Sequence, residues 1–152
     1  IINISEIVPI GIVKINNNSF LIDEYNNGYL YNDNPSSNIQ IPRIYTKNII
    51  NIEDVFEGFE YRFIQNIYSN YHSLYVKISH LENLNDKLLV FFDINSKSNK
   101  VYFNLDDYSN QIQYLDSFFE ILDEINQEYY YEYIKFAGET IIVKERNIWF
   151  NE

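Results

Sequence analysis

The sequence of 152 residues contains no cysteine and no methionine, one tryptophan, three prolines and four glycines. The absence of cysteine excludes a disulfide framework, a thiolate metal site, a cysteine nucleophile and a thiol redox role, which favours a cytoplasmic protein. The glycines, Gly11, Gly28, Gly58 and Gly138, stand apart from one another, so no Gly-rich phosphate loop exists. No apolar run approaches the about 18 residues of a membrane span. Residues 1–15 have neither the basic start nor the small-residue cleavage site of a signal peptide. A chain that begins at Ile1 and lacks methionine is expected to have its natural start further upstream. Basic residues are scarce as well, with 11 Lys and Arg scattered among 22 Asp and Glu for a net charge of −11. Because nucleic-acid affinity rests on clustered cations, this balance weighs against direct nucleic-acid binding.

What is present is aromatic and β-branched. Residues 46% hydrophobic and 18% aromatic describe a chain that folds, since disorder goes with few such side chains. The length suits a single domain spanning 1–152. Ile10–Ile15 and Phe20–Asp23 read as strands separated by Asn16–Ser19, and Asn26-Asn27-Gly28 reads as the next turn, because Asn and Gly tolerate positive φ. Pro35 and Pro42 withhold ladder donors, so the stretch around them reads as a loop and an edge segment. From Asn51 the apolar residues Ile52, Val55, Phe56, Phe59, Phe63 and Ile67 fall at helical spacing, with Gly58 interrupting. Tyr71–Ser79 alternates and leans to strand. Lys87–Asn95 and Lys100–Asp107 form a hairpin pattern joined by Ser96–Asn99, with Leu88–Phe92 as a central strand covered on both faces. Asp93–Ser98 begins like a calcium loop, but Lys97 and Ser98 stand where an acceptor and a glycine belong, so it too reads as a hairpin turn. Ser117 with Glu120 three residues on reads as a capping box that opens a helix carrying Phe118, Leu122, Ile125 and Tyr129. Tyr130–Phe136 and Thr140–Phe150 close the chain as a last hairpin. The expected class is α+β: an antiparallel sheet of hairpins with about two packed helices.

The charge is unevenly placed. Residues 101–134 hold eight acids and no Lys or Arg. Glu120, Glu124 and Glu128 recur every four residues and so stack along one helix face beside Asp123. Like charges at this spacing cost about 0.2–0.5 kcal/mol per pair. Either cations from elsewhere in the fold, such as Lys77, Lys87 or Lys100, neutralise the face, or it is kept negative for a basic partner. Asp106, Asp107 and Asp116 precede the helix on this reading and extend the patch if the intervening loop folds over it.

Catalytic chemistry is thin in the sequence. His72 and His80 are the groups that titrate near neutral pH, and each reads as a surface or packing residue. Trp149 with Tyr129, Tyr130, Tyr131 and Tyr133 reads as core aromatics, or as an aromatic platform for a sugar or peptide.

Three segments, Leu88–Asp93, Lys100-Val101-Tyr102-Phe103 and Asp116-Ser117-Phe118-Phe119-Glu120-Ile121-Leu122, together resemble the closing half of the SUKH superfamily over about residues 87–125. In that family two strands, the second with a Lys-Val-Tyr type pattern, precede a helix that begins Asp-Ser-Phe. The resemblance implies a bacterial immunity protein, free of cofactors, that binds a cognate toxin domain and blocks it without catalysis. The expected function is therefore a non-enzymatic immunity or inhibitor protein whose basic partner meets Glu120, Asp123, Glu124, Glu128, Asp106, Asp107 and Asp116. A carbohydrate- or peptide-binding module using the aromatics, and a phage or viral anti-defence protein that mimics nucleic-acid charge, are the alternatives.

Overall fold

Asn16, Asn17, Asn95 and Ser96 adopt positive φ (49°, 69°, 52° and 64°) in the computed structural model, which describes residues 6–32, 40–47, 49–125 and 130–146. Two consecutive positive-φ residues make the two-residue turn whose twist matches that of paired strands. Asn16-Asn17 thus joins β1 (Gly11–Ile15) to β2 (Asn18–Ile22), and β2 continues into β3 (Gly28–Tyr31). β4 is Arg43–Tyr45. The helical segments α1 (Ile52–Phe56), α2 (Phe59–Asn70) and α3 (His72–Tyr75) follow. Next come β5 (Ile78–Asn83), β6 (Lys87–Ile94) and β7 (Lys97–Asn104), then α4 (Tyr108–Glu124), β8 (Tyr131–Ala137) and β9 (Thr140–Glu145). The nine strands form one sheet in the order β3-β2-β1-β4-β5-β6-β7-β8-β9.

The class is α+β as the sequence implies, but the sheet is not built of hairpins alone. β1–β4, β4–β5 and β7–β8 pair in parallel over two, three and two residue pairs, which joins three antiparallel blocks. The expected edge segment at Pro42 is instead the entry to β4 in the sheet interior. Pro42 lacks only a donor, and its carbonyl accepts from Ile12 N at 2.9 Å, so the proline costs this pairing nothing.

Local chemistry accounts for the other departures. The expected helix from Ile52 breaks at Gly58, which takes an extended conformation (φ −82°, ψ 158°) between α1 and α2. Tyr71–Ser79 is not a strand up to Lys77: Leu74 and Tyr75 are adjacent and both buried, as a helical turn allows, while Val76 points to solvent. The hydroxyl of Tyr75 donates to Ile10 O at 2.9 Å and so anchors this turn beneath the start of β1. The turn after β6 is Asn95-Ser96 alone, so β7 begins at Lys97 rather than Lys100.

Residues paired in register share a face. Val13, Ile44, Leu81, Leu88, Val90, Phe92, Val101, Phe103, Ile134 and Phe136 all project to one face, and there they join the buried side chains of every helix in a single cluster. A chain of rings runs through it, with Phe63 of α2 at 5.1 Å from Phe103 and Phe103 at 5.4 Å from Phe136. Ile12 and Leu89 are buried on the opposite face and stand outside that cluster. β6 is central, as expected, but no helix among the described residues covers its second face. There Phe91 lies against His80 (4.0 Å between ring centroids) and beneath Lys100.

Candidate partner-binding surfaces

α4 begins at Tyr108, nine residues before Ser117. Its N-cap is Asp107, whose carbonyl accepts from Gln111 N at 3.2 Å and whose Oδ1 accepts from Asn110 Nδ2 at 2.7 Å. The Ser117–Glu120 capping box is therefore absent: both residues lie exposed in mid-helix. The upstream apolar residues Ile112 and Leu115 continue the stripe of Phe119 and Leu122 at helical spacing, and that longer period is the signal the capping motif masked. Gln111 fixes the helix start to the sheet, its buried Oε1 accepting the backbone N–H of Asn104 at 2.8 Å.

The new start rearranges the candidate acids. Asp116 lies inside the helix, and Asp116, Glu120 and Glu124 form a column at i, i+4, i+8 with Asp123 beside its end. Asp106 and Asp107 lie at the opposite end, about 20 Å from Glu120 at 1.5 Å of rise per residue. Glu128, Tyr129 and Trp149 lie outside the described residues. Glu120, Asp123 and Glu124 are exposed, and they occupy the last turns of a helix that holds no basic residue there. The carboxylates thus add to the negative end of the helix dipole, where acids cost stability. None of Asp116, Glu120, Asp123 and Glu124 forms an ion pair among the described residues; the pair seen there is Lys144 Nζ to Glu132 Oε2 at 3.2 Å. Lys87 and Lys100, two of the three cations named as candidates to neutralise α4, project from the far side of the sheet. The third, Lys77, places its ammonium 5.7 Å from the Phe119 ring centroid.

Two apolar side chains share this exposed helix end. Ile121 is 56% exposed and Ile125 60%, one turn apart and each a single residue round the helix from Glu120 and Glu124. Sequence reasoning assigned Ile125 to the buried stripe, because a helix beginning at Ser117 sets a different apolar face.

The histidines and tyrosines are placed differently from the acids. A register shift between Ile78 and His80 brings Ser79 Oγ to 2.9 Å from His80 Nδ1, a contact the sequence reading did not foresee. His80 is enclosed by Phe91 and the edge of Tyr45 (5.6 Å), and burial lowers its pKa against the opposing pull of Asp93 and Glu82. Among the described residues no carboxylate hydrogen-bonds to its ring. His72 stacks on Tyr75 at 5.5 Å at the protein surface. Tyr131 faces the core while Tyr133 faces the opposite side of the sheet, so these tyrosines do not form one platform. Asp23 closes the turn after β2: burial opposes its charge, but N–H groups of Asn27 and Tyr25 donate to Oδ1 at 3.0 and 2.9 Å and hold its carboxyl below the usual range.

Compared with protein-family models and with curated proteins, the sequence matches none.

Proposed function

We propose that this protein is a non-enzymatic immunity or inhibitor protein that captures a basic protein domain, a toxin, on the C-terminal half of α4. The observation that carries this reading is the pairing of Ile121 and Ile125, exposed and one turn apart, with the unpaired carboxylates of Glu120, Asp123 and Glu124. Interfaces draw most of their affinity from a few desolvated anchors, while surrounding charge sets association rate and rejects wrong partners. The helix end has both components. Apolar anchors sit beside an acidic edge of the helix, and that edge is maintained at a cost in helix stability that a merely soluble surface does not require.

The test is capture of a basic toxin domain by the full chain, the candidates being the reading frames that flank its gene, with association followed by stopped flow at low and physiological salt; absence of binding by every flanking product would overturn the reading. Reversing Glu120, Asp123 and Glu124 to Lys is expected to slow association by about 10-fold or more at low salt and to flatten its salt dependence. Ile121→Asp is expected to raise the dissociation rate instead, with little change in association. Wild-type rates in both variants would remove α4 as the docking element.

A further inference from the structure

The face of the sheet opposite the helices gathers the cations that the sequence scatters. By register, Lys14 of β1, Lys87 of β6, Lys100 of β7 and Lys135 of β8 all project to it, and none of them forms an ion pair among the described residues. Arg43 and Lys144 project to the same face. Of the 11 basic residues in the chain, six therefore share one surface. The acids there are Glu82 on β5, Asp93 at the turn end of β6 and, at the bulge of β8, Glu132, which pairs with Lys144 at 3.2 Å and leaves Lys87, Lys100 and Lys135 without a carboxylate partner among the described residues.

Aromatic rings alternate with these lysines. Tyr102 pairs with Lys135 across β7–β8 and is two residues from Lys100 on its own strand, while Phe91 pairs with Lys100 across β6–β7. Lys87, Tyr102, Tyr133 and Lys135 line a shallow depression of about 280 Å³. The ammonium of Lys135 is 5.2 Å from the Tyr133 ring centroid and that of Lys100 is 5.9 Å from Phe91, so the cations rest on ring faces.

We infer that this face, which no helix among the described residues covers, binds single-stranded nucleic acid at a site centred on Lys87, Lys100, Tyr102, Tyr133 and Lys135. Rows of ammonium groups match a phosphate backbone, and rings between them give the bases a surface to stack on. An acidic polypeptide would satisfy the lysines but offers a ring only at its occasional aromatic side chains, whereas every nucleotide brings a charged phosphate and a flat base together. The acidic end of α4 does not oppose this binding strongly: it lies across the sheet and the helix, roughly 20 Å away, which exceeds two Debye lengths at physiological salt.

The test is fluorescence anisotropy of a labelled oligothymidylate of about 20 nucleotides with the full chain, at about 50 and 200 mM KCl. Four phosphate contacts, at a slope near −0.7 each, are expected to weaken binding about 50-fold between these salts. Changing Lys87, Lys100 and Lys135 together to Gln is expected to reduce the slope by about 2, and Lys100→Gln alone by about 0.7, which keeps the reading available if the triple variant folds poorly. Tyr102→Leu is expected to weaken binding about five-fold or more with the slope unchanged. No saturable binding at the lower salt, or a triple variant that folds and binds as wild type, overturns the proposal. A Tyr102→Leu variant of unchanged affinity, with polyglutamate competing as well as the oligonucleotide, also overturns it and assigns the face to an acidic protein.

Discussion

Asn99 and Tyr131 are joined across 2.8 Å, the backbone N–H of Tyr131 donating to the side-chain Oδ1 of Asn99. Asn99 is fully buried on the core face of β7, and Tyr131 opens β8. The parallel pairing of these strands covers only Val101–Ile134 and Tyr102–Lys135, so the asparagine side chain extends the join past the reach of the backbone ladder. Asn99→Ala orphans a buried N–H and is expected to cost about 1–3 kcal/mol in urea denaturation. Asn99→Asp keeps the acceptor and is expected to lose less at neutral pH than Asn99→Ala; an equal loss would mean that packing rather than the hydrogen bond carries the effect.

The acids at the end of α4 are expected to lower stability. Glu124→Lys removes a like-charge neighbour of Glu120 and reverses an unfavourable dipole interaction, and it is expected to raise stability by about 0.3–1 kcal/mol at low salt. The gain should fade at high salt. A thermal melt showing loss of stability at low salt would mean that Glu124 has a partner in the fold.

Asp23 gives the fold a pH dependence of known sign. Its carboxyl is held below the usual range in the folded state, chiefly by Asn27 and Tyr25 against the effect of burial, so the unfolded chain binds its proton more readily. The stabilisation is complete above the unfolded pKa near 4 and is lost as pH falls through the lower folded value. Asp23→Asn keeps one acceptor oxygen for the turn and is expected to be less stable than wild type at pH 7, with the gap closing towards pH 2. A gap that stays constant with pH would place the effect in packing.

Ser96 holds φ 64° in the turn between β6 and β7, where glycine is the residue that pays no steric penalty. Ser96→Gly is expected to raise stability by up to about 1 kcal/mol and to leave binding at either surface unchanged. Gly138, at φ 59° in the turn between β8 and β9, predicts the reverse: Gly138→Ala is expected to cost about 1 kcal/mol although the space around it is open.

The hairpins were legible because period-2 patterns and Asn turns are local signals: β1–β2, β6–β7 and β8–β9 follow from their own residues. The parallel seams were not, since nothing within Arg43–Tyr45 states that this segment lies between β1 and β5. α4 was half legible. Phe119 and Leu122 marked its core face, but Ser117 and Glu120 imitated a helix start, so its first nine residues were assigned to a loop and Ile125 to the interior. The acidic cluster on α4 was legible because a helix places i and i+4 together whatever the tertiary structure. The cationic face was illegible for the opposite reason: Lys14, Lys87, Lys100 and Lys135 are brought together by strand order and register, which are tertiary properties.

The three antiparallel blocks have a consequence for how the molecule opens. Each block is a hairpin or meander closed by nearby sequence, while the joins between blocks rest on two or three residue pairs. Amide protons at the seams, above all those of β4, should therefore exchange with solvent through partial openings that leave the hairpins intact, so the sheet breathes along its parallel joins before it melts as a whole.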